Sequence, residues 1–127
     1  MTIKEVSEKY HISQDTLRYY ERVGMIPPVT RTASGIRDYQ EHDLGWVELA
    51  KCMRNAGLPV EAMIEYVRLT QQGDSTISAR RQLLIEQREV LLEQKAKINA
   101  TLERLNYKIK RYEIAVQTGK LTWNDEE

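Results

Sequence analysis

The chain has 127 residues, and its 19 Lys and Arg balance its 19 Asp and Glu, so the formal net charge is zero. This balance excludes nucleic-acid binding through bulk charge alone, and any such site has to be a local patch. The N-terminal residues lack the apolar core of a signal peptide, and no apolar run is long enough to span a bilayer. Because the single cysteine, Cys52, also excludes an internal disulfide, we expect a cytoplasmic protein without membrane contact.

The chain is predicted to have two unlike parts. All three prolines and five of the six glycines fall in residues 1–73, which we expect to form a compact domain of short elements and turns. Residues 75–118 contain neither residue type and are predicted to form one unbroken helix, followed by a C-terminal tail over 119–127. The expected fold class is mainly α.

Two short helices are predicted at the N-terminus. Thr2 and Glu5 have the spacing of a capping box, and this first helix should end around residues 10–11. Ser13 can cap a second helix, which Gly24 and the two prolines after it terminate. Two short helices joined by a tight turn predict a helix-turn-helix.

The second helix combines one inward-facing apolar residue, Leu17, with a face of arginine and tyrosine. Arginine forks read guanine edges or clamp phosphates, and tyrosine hydroxyls donate to phosphate oxygens. The alternative is an ordinary solvated face on which Asp15 pairs with an arginine. The predicted DNA contacts of this helix are Gln14, Arg18, Tyr19, Tyr20 and Arg22, with Tyr20 half in the core.

A basic hairpin is predicted directly after the helix-turn-helix. Arg31 and Arg37 flank residues 33–35, which have the Ala-Ser-Gly composition of a hairpin tip, and Ile36 and Tyr39 lie on the returning strand. Such a hairpin is a wing placed to hold the DNA backbone or minor groove beside the second helix. The arginines of helix and wing together favour DNA binding, and Arg31, Arg37 and Tyr39 are added to the candidate contacts.

The segments ISQDTLRYYERVGMIPP, R…SGIRDY and DLGWVELAKCMRNAGLPVEAM resemble the MerR family of bacterial transcription regulators over essentially the whole chain. The resemblance implies a winged helix-turn-helix, a linking helix pair and a homodimer formed by an antiparallel coiled coil. It also implies binding to double-stranded promoter DNA with an overlong spacer, which is distorted so that RNA polymerase can engage. By matching position, the family's DNA contacts fall on Arg18, Tyr19, Tyr20, Arg31, Arg37 and Arg54.

Residues 41–72 are predicted to form the two linking helices. The first ends at Gly57 and the second starts at Pro59. Arg54 lies near the end of the first helix, where a phosphate could sit. The residues predicted to mark the inner face of the first helix are Trp46, Leu49, Ala50 and Met53.

The cysteine content bears on which signal controls the protein. Metal-responsive relatives carry a cysteine pair at the far end of the dimer helix, which this chain lacks, so we expect no metal and no cofactor. The segment around Cys52 resembles a family branch that responds to aldehydes or other electrophiles through one cysteine. Lys51 and Arg54 could favour the reactive thiolate there. The alternative is that Cys52 is a small buried hydrophobe.

The long helix carries two heptad columns that predict the direction of the dimer. In a parallel dimer the cations of the second column would face their own copies in three like-charged layers, which is strongly unfavourable. In an antiparallel dimer, positions summing to 193 meet, so Leu91 faces Leu102, and the tail could bring Trp123 over the partner's Cys52. The first column is Ile77, Leu84, Leu91, Ile98, Leu105 and Tyr112, and the second is Arg81, Arg88, Lys95, Leu102, Ile109 and Val116.

Catalytic signatures are not evident in the sequence, since no carboxylate pair, phosphate-binding glycine loop or Ser/His/Asp arrangement stands out. The protein is therefore not expected to be an enzyme. The rival function is that of a coiled-coil adaptor whose helix-turn-helix contacts protein instead of DNA.

Overall fold

A succession of α-helices makes up the structure, a computed structural model that describes residues 1–123. No β-strand occurs in these residues, and none of their helices is long and apolar enough to cross a membrane. The mainly α fold class is confirmed. The elements in chain order are α1 (Ile3–Tyr10), α2 (Gln14–Val23), α3 (Glu41–Asn55), α4 (Val60–Gln71), a short 3₁₀ helix (Asp74–Thr76) and α5 (Ile77–Thr118).

The predicted caps of α1 and α2 are confirmed. The Thr2 hydroxyl accepts from the Glu5 amide at 3.2 Å, and the Thr2 amide donates to the Glu5 carboxylate at 2.8 Å. The Ser13 hydroxyl accepts from the Thr16 amide at 3.0 Å. Gly24 ends α2 with a φ of +86°, a left-handed conformation that favours glycine. These four local interactions fix the two helices of the helix-turn-helix.

A single hydrophobic core joins the first four helices. The inner face of α3 centres on Val47, Ala50 and Met53, whereas Trp46 and Leu49 are only partly buried at its edge. Trp46 instead packs against Tyr66 of α4, with ring centroids 5.8 Å apart and the ring planes tilted by 56°. The predicted stripe of α3 was therefore rotated from the observed one. The most deeply buried side chains of this core are Val6, Leu17, Met25, Ile26, Tyr39, Val47 and Met63.

The wing between α2 and α3 is a turn with one isolated bridge between Arg31 and Arg37, so the predicted returning strand is wrong. The Thr32 amide donates to the Ile36 carbonyl at 2.8 Å, and Gly35 turns the chain with a φ of +88°. The returning segment leaves the hairpin early because Tyr39 pairs with the N-terminus. Its amide donates to the Met1 carbonyl at 2.7 Å, and its carbonyl accepts from the terminal amine at 2.8 Å.

The chain divides into two compact units, and the division falls inside α5 after Arg88. The start of α5 belongs to the N-terminal unit, where the connection from α4 is held by side chains. The Thr76 hydroxyl donates to the Leu69 carbonyl at 2.6 Å, and Arg80 donates to the Gly73 carbonyl at 2.6 Å. The predicted boundary near residue 74 thus marks the start of the long helix, and the first turns of that helix stay with α4.

The described part of the tail folds back onto the end of α5. The Nε of Arg111 donates to the Thr122 carbonyl at 2.9 Å, and its Nη2 donates to the Thr122 hydroxyl. Trp123 packs edge-on against Tyr112, with ring centroids 5.6 Å apart, and the Lys108 ammonium lies 4.7 Å from the Trp123 ring. In the single chain Trp123 therefore covers its own helix, and the tail beyond it, residues 124–127, lies outside the described residues.

Candidate nucleic-acid interface

The outward face of α2 presents Arg18 at its first turns. Arg18 donates to the Asp15 carboxylate at 3.0 Å and to the Gln14 side-chain carbonyl at 3.4 Å. The pair that defined the solvated-face alternative is therefore present in the free chain. Both side chains are well exposed, and ion pairs three or four residues apart on a helix surface contribute only about 0.2–0.5 kcal/mol. Arg18 can leave Asp15 at small cost when a phosphate or a guanine edge is offered.

Tyr19 and Arg22 form a second outward-facing pair on α2. The Arg22 guanidinium lies over the Tyr19 ring, 5.5 Å from its centroid, and Tyr19 is exposed. This cation–π contact limits the rotamers of both side chains. The two predicted contacts are therefore partly arranged before any ligand binds.

Tyr20 and Tyr39 lie in the core. Burial raises the pKa of Tyr20, although the charge of Arg54 opposes this shift, and burial also raises the pKa of Tyr39. Tyr39 is 1% exposed and its hydroxyl has no hydrogen-bond partner within residues 1–123. The structure thus corrects the placement of Tyr39 on the wing surface, because its pairing with Met1 directs the side chain inward.

Glu21 links α2 to the wing, and the sequence reasoning missed it. Its side chain is only 11% exposed. One carboxylate oxygen accepts from the Val29 amide at 2.8 Å, and the other accepts from the Nε of Arg37 at 2.7 Å and lies 3.5 Å from Arg31. Burial alone would raise the pKa of Glu21, but the hydrogen bonds from Val29 and Arg37 and the charges of both arginines outweigh it and hold the pKa below its usual range.

Asp43 plays the same part at the other side of the wing. It is 4% exposed, and one oxygen accepts from the Gln40 amide at 2.8 Å and from the Thr30 amide at 3.4 Å. The neighbouring amides of Val29 and Thr30 are thus held by two different carboxylates, one from α2 and one from α3. One sequence signal could have identified Glu21. A carboxylate in the last turn of a helix is disfavoured by the helix dipole, which suggests that a cationic partner compensates it.

The cations near Cys52 are committed to other groups. Cys52 is exposed in the single chain, so the buried-hydrophobe alternative is wrong for this form. The Lys51 ammonium donates to the Tyr10 carbonyl at 2.5 Å, and Arg54 donates to the Leu58 carbonyl at 2.6 Å. Both cations hold main-chain carbonyls at helix ends, and the structure offers no reason to assign them to the sulfur.

Candidate metal ligands do not cluster in residues 1–123, where no group of three or more His, Cys, Asp or Glu side chains has a metal-binding arrangement.

Comparison with known proteins places this arrangement in a family. The family model described as MerR HTH family regulatory protein matches residues 1–70. The HTH-type transcriptional regulator AdhR of Bacillus subtilis is 54% identical over 91 residues, which cover 72% of this chain. The chain spans 65% of the length of that regulator.

Two solved structures resemble nearly the whole chain. A protein of Listeria monocytogenes assigned to the MerR family is 42% identical with a TM-score of 0.90, and the match covers 94% of this chain and 90% of that one. HiNmlR, described as a MerR family regulator lacking the sensor domain and bound to promoter DNA, is 33% identical with a TM-score of 0.82, covering 94% of both chains. The chain belongs to the MerR family of helix-turn-helix regulatory proteins.

Proposed function

We propose that this protein binds double-stranded promoter DNA as a homodimer in the cytoplasm and controls transcription by distorting the promoter for RNA polymerase. The observation that carries the proposal is the grouping of Arg18, Tyr19 and Arg22 on the outward face of α2, beside a wing that carries Arg31 and Arg37. On a chain of zero net charge this is the local cationic surface that DNA binding requires. HiNmlR, which matches 94% of this chain, was solved bound to promoter DNA, and this supports the proposal.

The proposed surface makes two kinds of contact, one with base edges and one with the DNA backbone. Arg18 and Arg22 stand on the helix that enters the major groove, so we assign them to base edges. Tyr19, Arg31, Arg37 and Arg54 are assigned to the backbone, which fixes the register of the protein on the duplex. Tyr20 and Tyr39 support this surface from the core.

Arg18→Ala should weaken binding to an operator selected by the wild-type protein. Losing a bidentate arginine–guanine contact removes about 1–3 kcal/mol and relaxes specificity at one base pair. The measurement is a series of dissociation constants for duplexes that vary one position at a time. Lys97→Ala is a matched control, because Lys97 is an exposed cation paired with Glu93 on α5, and it should leave these constants unchanged. An Arg18→Ala protein with wild-type affinity and specificity would exclude Arg18 from base readout and favour the protein-binding adaptor.

The proposed dimer is formed by α5, whose apolar stripe is exposed in the single chain. Its 42 residues extend over roughly 60 Å. The predicted interface residues are 36–83% exposed in the single chain, a larger apolar stripe than a monomer ordinarily presents to water. Antiparallel pairing covers the stripe with apolar partners and lets Arg81, Arg88 and Lys95 extend their stems along it. The predicted interface is Ile77, Leu84, Leu91, Ile98, Leu102, Leu105, Ile109, Tyr112 and Val116.

Cysteine cross-linking distinguishes the two directions of pairing. In a Cys52→Ser background, Leu91→Cys combined with Leu102→Cys should give a disulfide-linked dimer on a non-reducing gel, because the two positions meet only in the antiparallel register. Within one chain they are eleven residues apart on a helix, or about 16 Å, which is too far for a disulfide. Leu91→Cys alone should remain a monomer on the gel, and efficient cross-linking of that single variant would contradict the antiparallel register.

We further propose that an aldehyde or another electrophile acts through Cys52. Its exposure in the single chain and the resemblance of its segment to the electrophile-responsive branch support this assignment. A thiolate adds to an aldehyde carbon while the aldehyde oxygen takes up a proton, giving a thiohemiacetal. Bending operator DNA requires on the order of 1–6 kcal/mol, a balance that an adduct on α3 can shift if it stabilises one dimer conformation more than another.

Cys52→Ser should fold and bind the selected operator like the wild type but lose the response to formaldehyde in a transcriptional reporter. The operator affinity, measured without aldehyde, controls for loss of folding or DNA binding. A Cys52→Ser protein that still gives the full formaldehyde response would remove the thiol from the signal.

A further inference from the structure

The wing of this protein is a short hairpin that forms no β-strand. One isolated bridge joins Arg31 to Arg37, three backbone hydrogen bonds close the turn between residues 30 and 38, and a lone hairpin of this size is marginal in water. Its two arginines flank that bridge, and the side chains of both reach a third residue, Glu21, on α2. The Glu21 carboxylate therefore ties both wing arginines to α2.

The contacts of the two arginines differ in strength. Arg37 donates to Glu21 at 2.7 Å and is 23% exposed, so its charge is largely matched by a partly buried carboxylate. That bond uses Nε–H, one of five N–H donors of a guanidinium, and the terminal nitrogens keep donors for a phosphate. Arg31 lies 3.5 Å from Glu21, is more exposed, and donates to the Gly35 carbonyl at the wing tip. Glu21 therefore holds Arg37 closely and Arg31 more loosely.

A second carboxylate allows the role of Glu21 to be separated from folding. Asp43 holds the Thr30 and Gln40 amides at the base of the wing, and it does so from α3. Removing the charge of Glu21 leaves this second anchor in place. The base of the wing should therefore stay attached while the arginines lose their fixed position and part of their charge compensation.

We propose that Glu21 is a positioning residue for specificity: it fixes Arg37 and Arg31 beside α2 and compensates their charge, so that the wing contacts DNA only where the duplex brings a phosphate to one place. This inference rests on the proposed DNA-binding function. A wing whose arginines are neither placed nor compensated would bind any duplex more readily, because phosphate attraction carries no sequence information. Glu21 thereby lowers the affinity for duplexes of any sequence and raises the specificity for the operator.

Two substitutions separate charge from position. Glu21→Gln keeps the size of the side chain and an acceptor for the Val29 amide but removes the charge that compensates the arginines. Glu21→Asp keeps the charge but retracts it by one methylene. The matched control is Glu93→Gln, since Glu93 is an exposed glutamate that pairs with Lys97 on α5, outside the helix-turn-helix and the wing.

The experiment uses full-length protein and an operator that the wild type selects from a random duplex library. Dissociation constants are measured for the operator and for a shuffled duplex at several NaCl concentrations, with thermal unfolding of each variant. For Glu21→Gln we expect tighter binding to the shuffled duplex, a salt slope steeper by about one, and an operator-to-shuffled ratio reduced by about tenfold or more. For Glu21→Asp the ratio should fall with an unchanged slope, and Glu93→Gln should match the wild type in both.

Equal weakening on both duplexes, in a variant that unfolds at a lower temperature, would assign Glu21 to stability alone and overturn the proposal. An unchanged ratio in both Glu21 variants would overturn it as well. Failure of the wild type to select any sequence is a different result, because it would contradict the proposed DNA-binding function before any variant is made.

Discussion

The partly buried carboxylate of Glu21 forms the interaction on which the geometry of the DNA-facing surface most depends. A carboxylate removed from water is unfavourable unless it is paired and hydrogen-bonded, and Glu21 meets both conditions through the Val29 amide and the wing arginines. These partners come from a segment that has one isolated bridge and no strand. Side chains therefore help to set the placement of the wing, Glu21 from α2 and Asp43 from α3, together with the main-chain pairing of Tyr39 and Met1.

Local signals in the sequence predicted the helical part of this fold well. The capping contacts of Thr2 and Ser13 and the left-handed Gly24 are each decided by residues within a few positions, and each is confirmed. Tyr39 could not be placed this way, because its direction is set by pairing with Met1 at the other end of the domain. Glu21 was missed for a related reason: its acceptor bonds reach residues eight and sixteen positions further along the chain.

The contacts of the cationic residues were equally hard to predict from local sequence. Composition and spacing identified arginines at 18, 22, 31, 37 and 54 but gave no account of which were already engaged. The structure separates them: Arg54 holds the Leu58 carbonyl, Arg37 holds Glu21, and Arg18 is held weakly by an exposed Asp15. These arginines thus differ in how readily they can leave their present partner and bind a phosphate. The lysine beside Cys52 follows the same pattern, since Lys51 binds the Tyr10 carbonyl.

Titration of the Glu21 carboxyl carbon by NMR in the free protein tests whether this carboxylate holds the wing arginines. We expect a pKa of Glu21 below the ordinary glutamate value in the wild type, and a higher one in Arg37→Gln, where one hydrogen bond and one charge are removed. Since the folded-state pKa is the lower one, the linked stability is present above the unfolded-state pKa and is lost as pH falls through the folded-state pKa. A Glu21 that titrates at or above the ordinary value, and does not respond to Arg37→Gln, would contradict a wing held by this carboxylate.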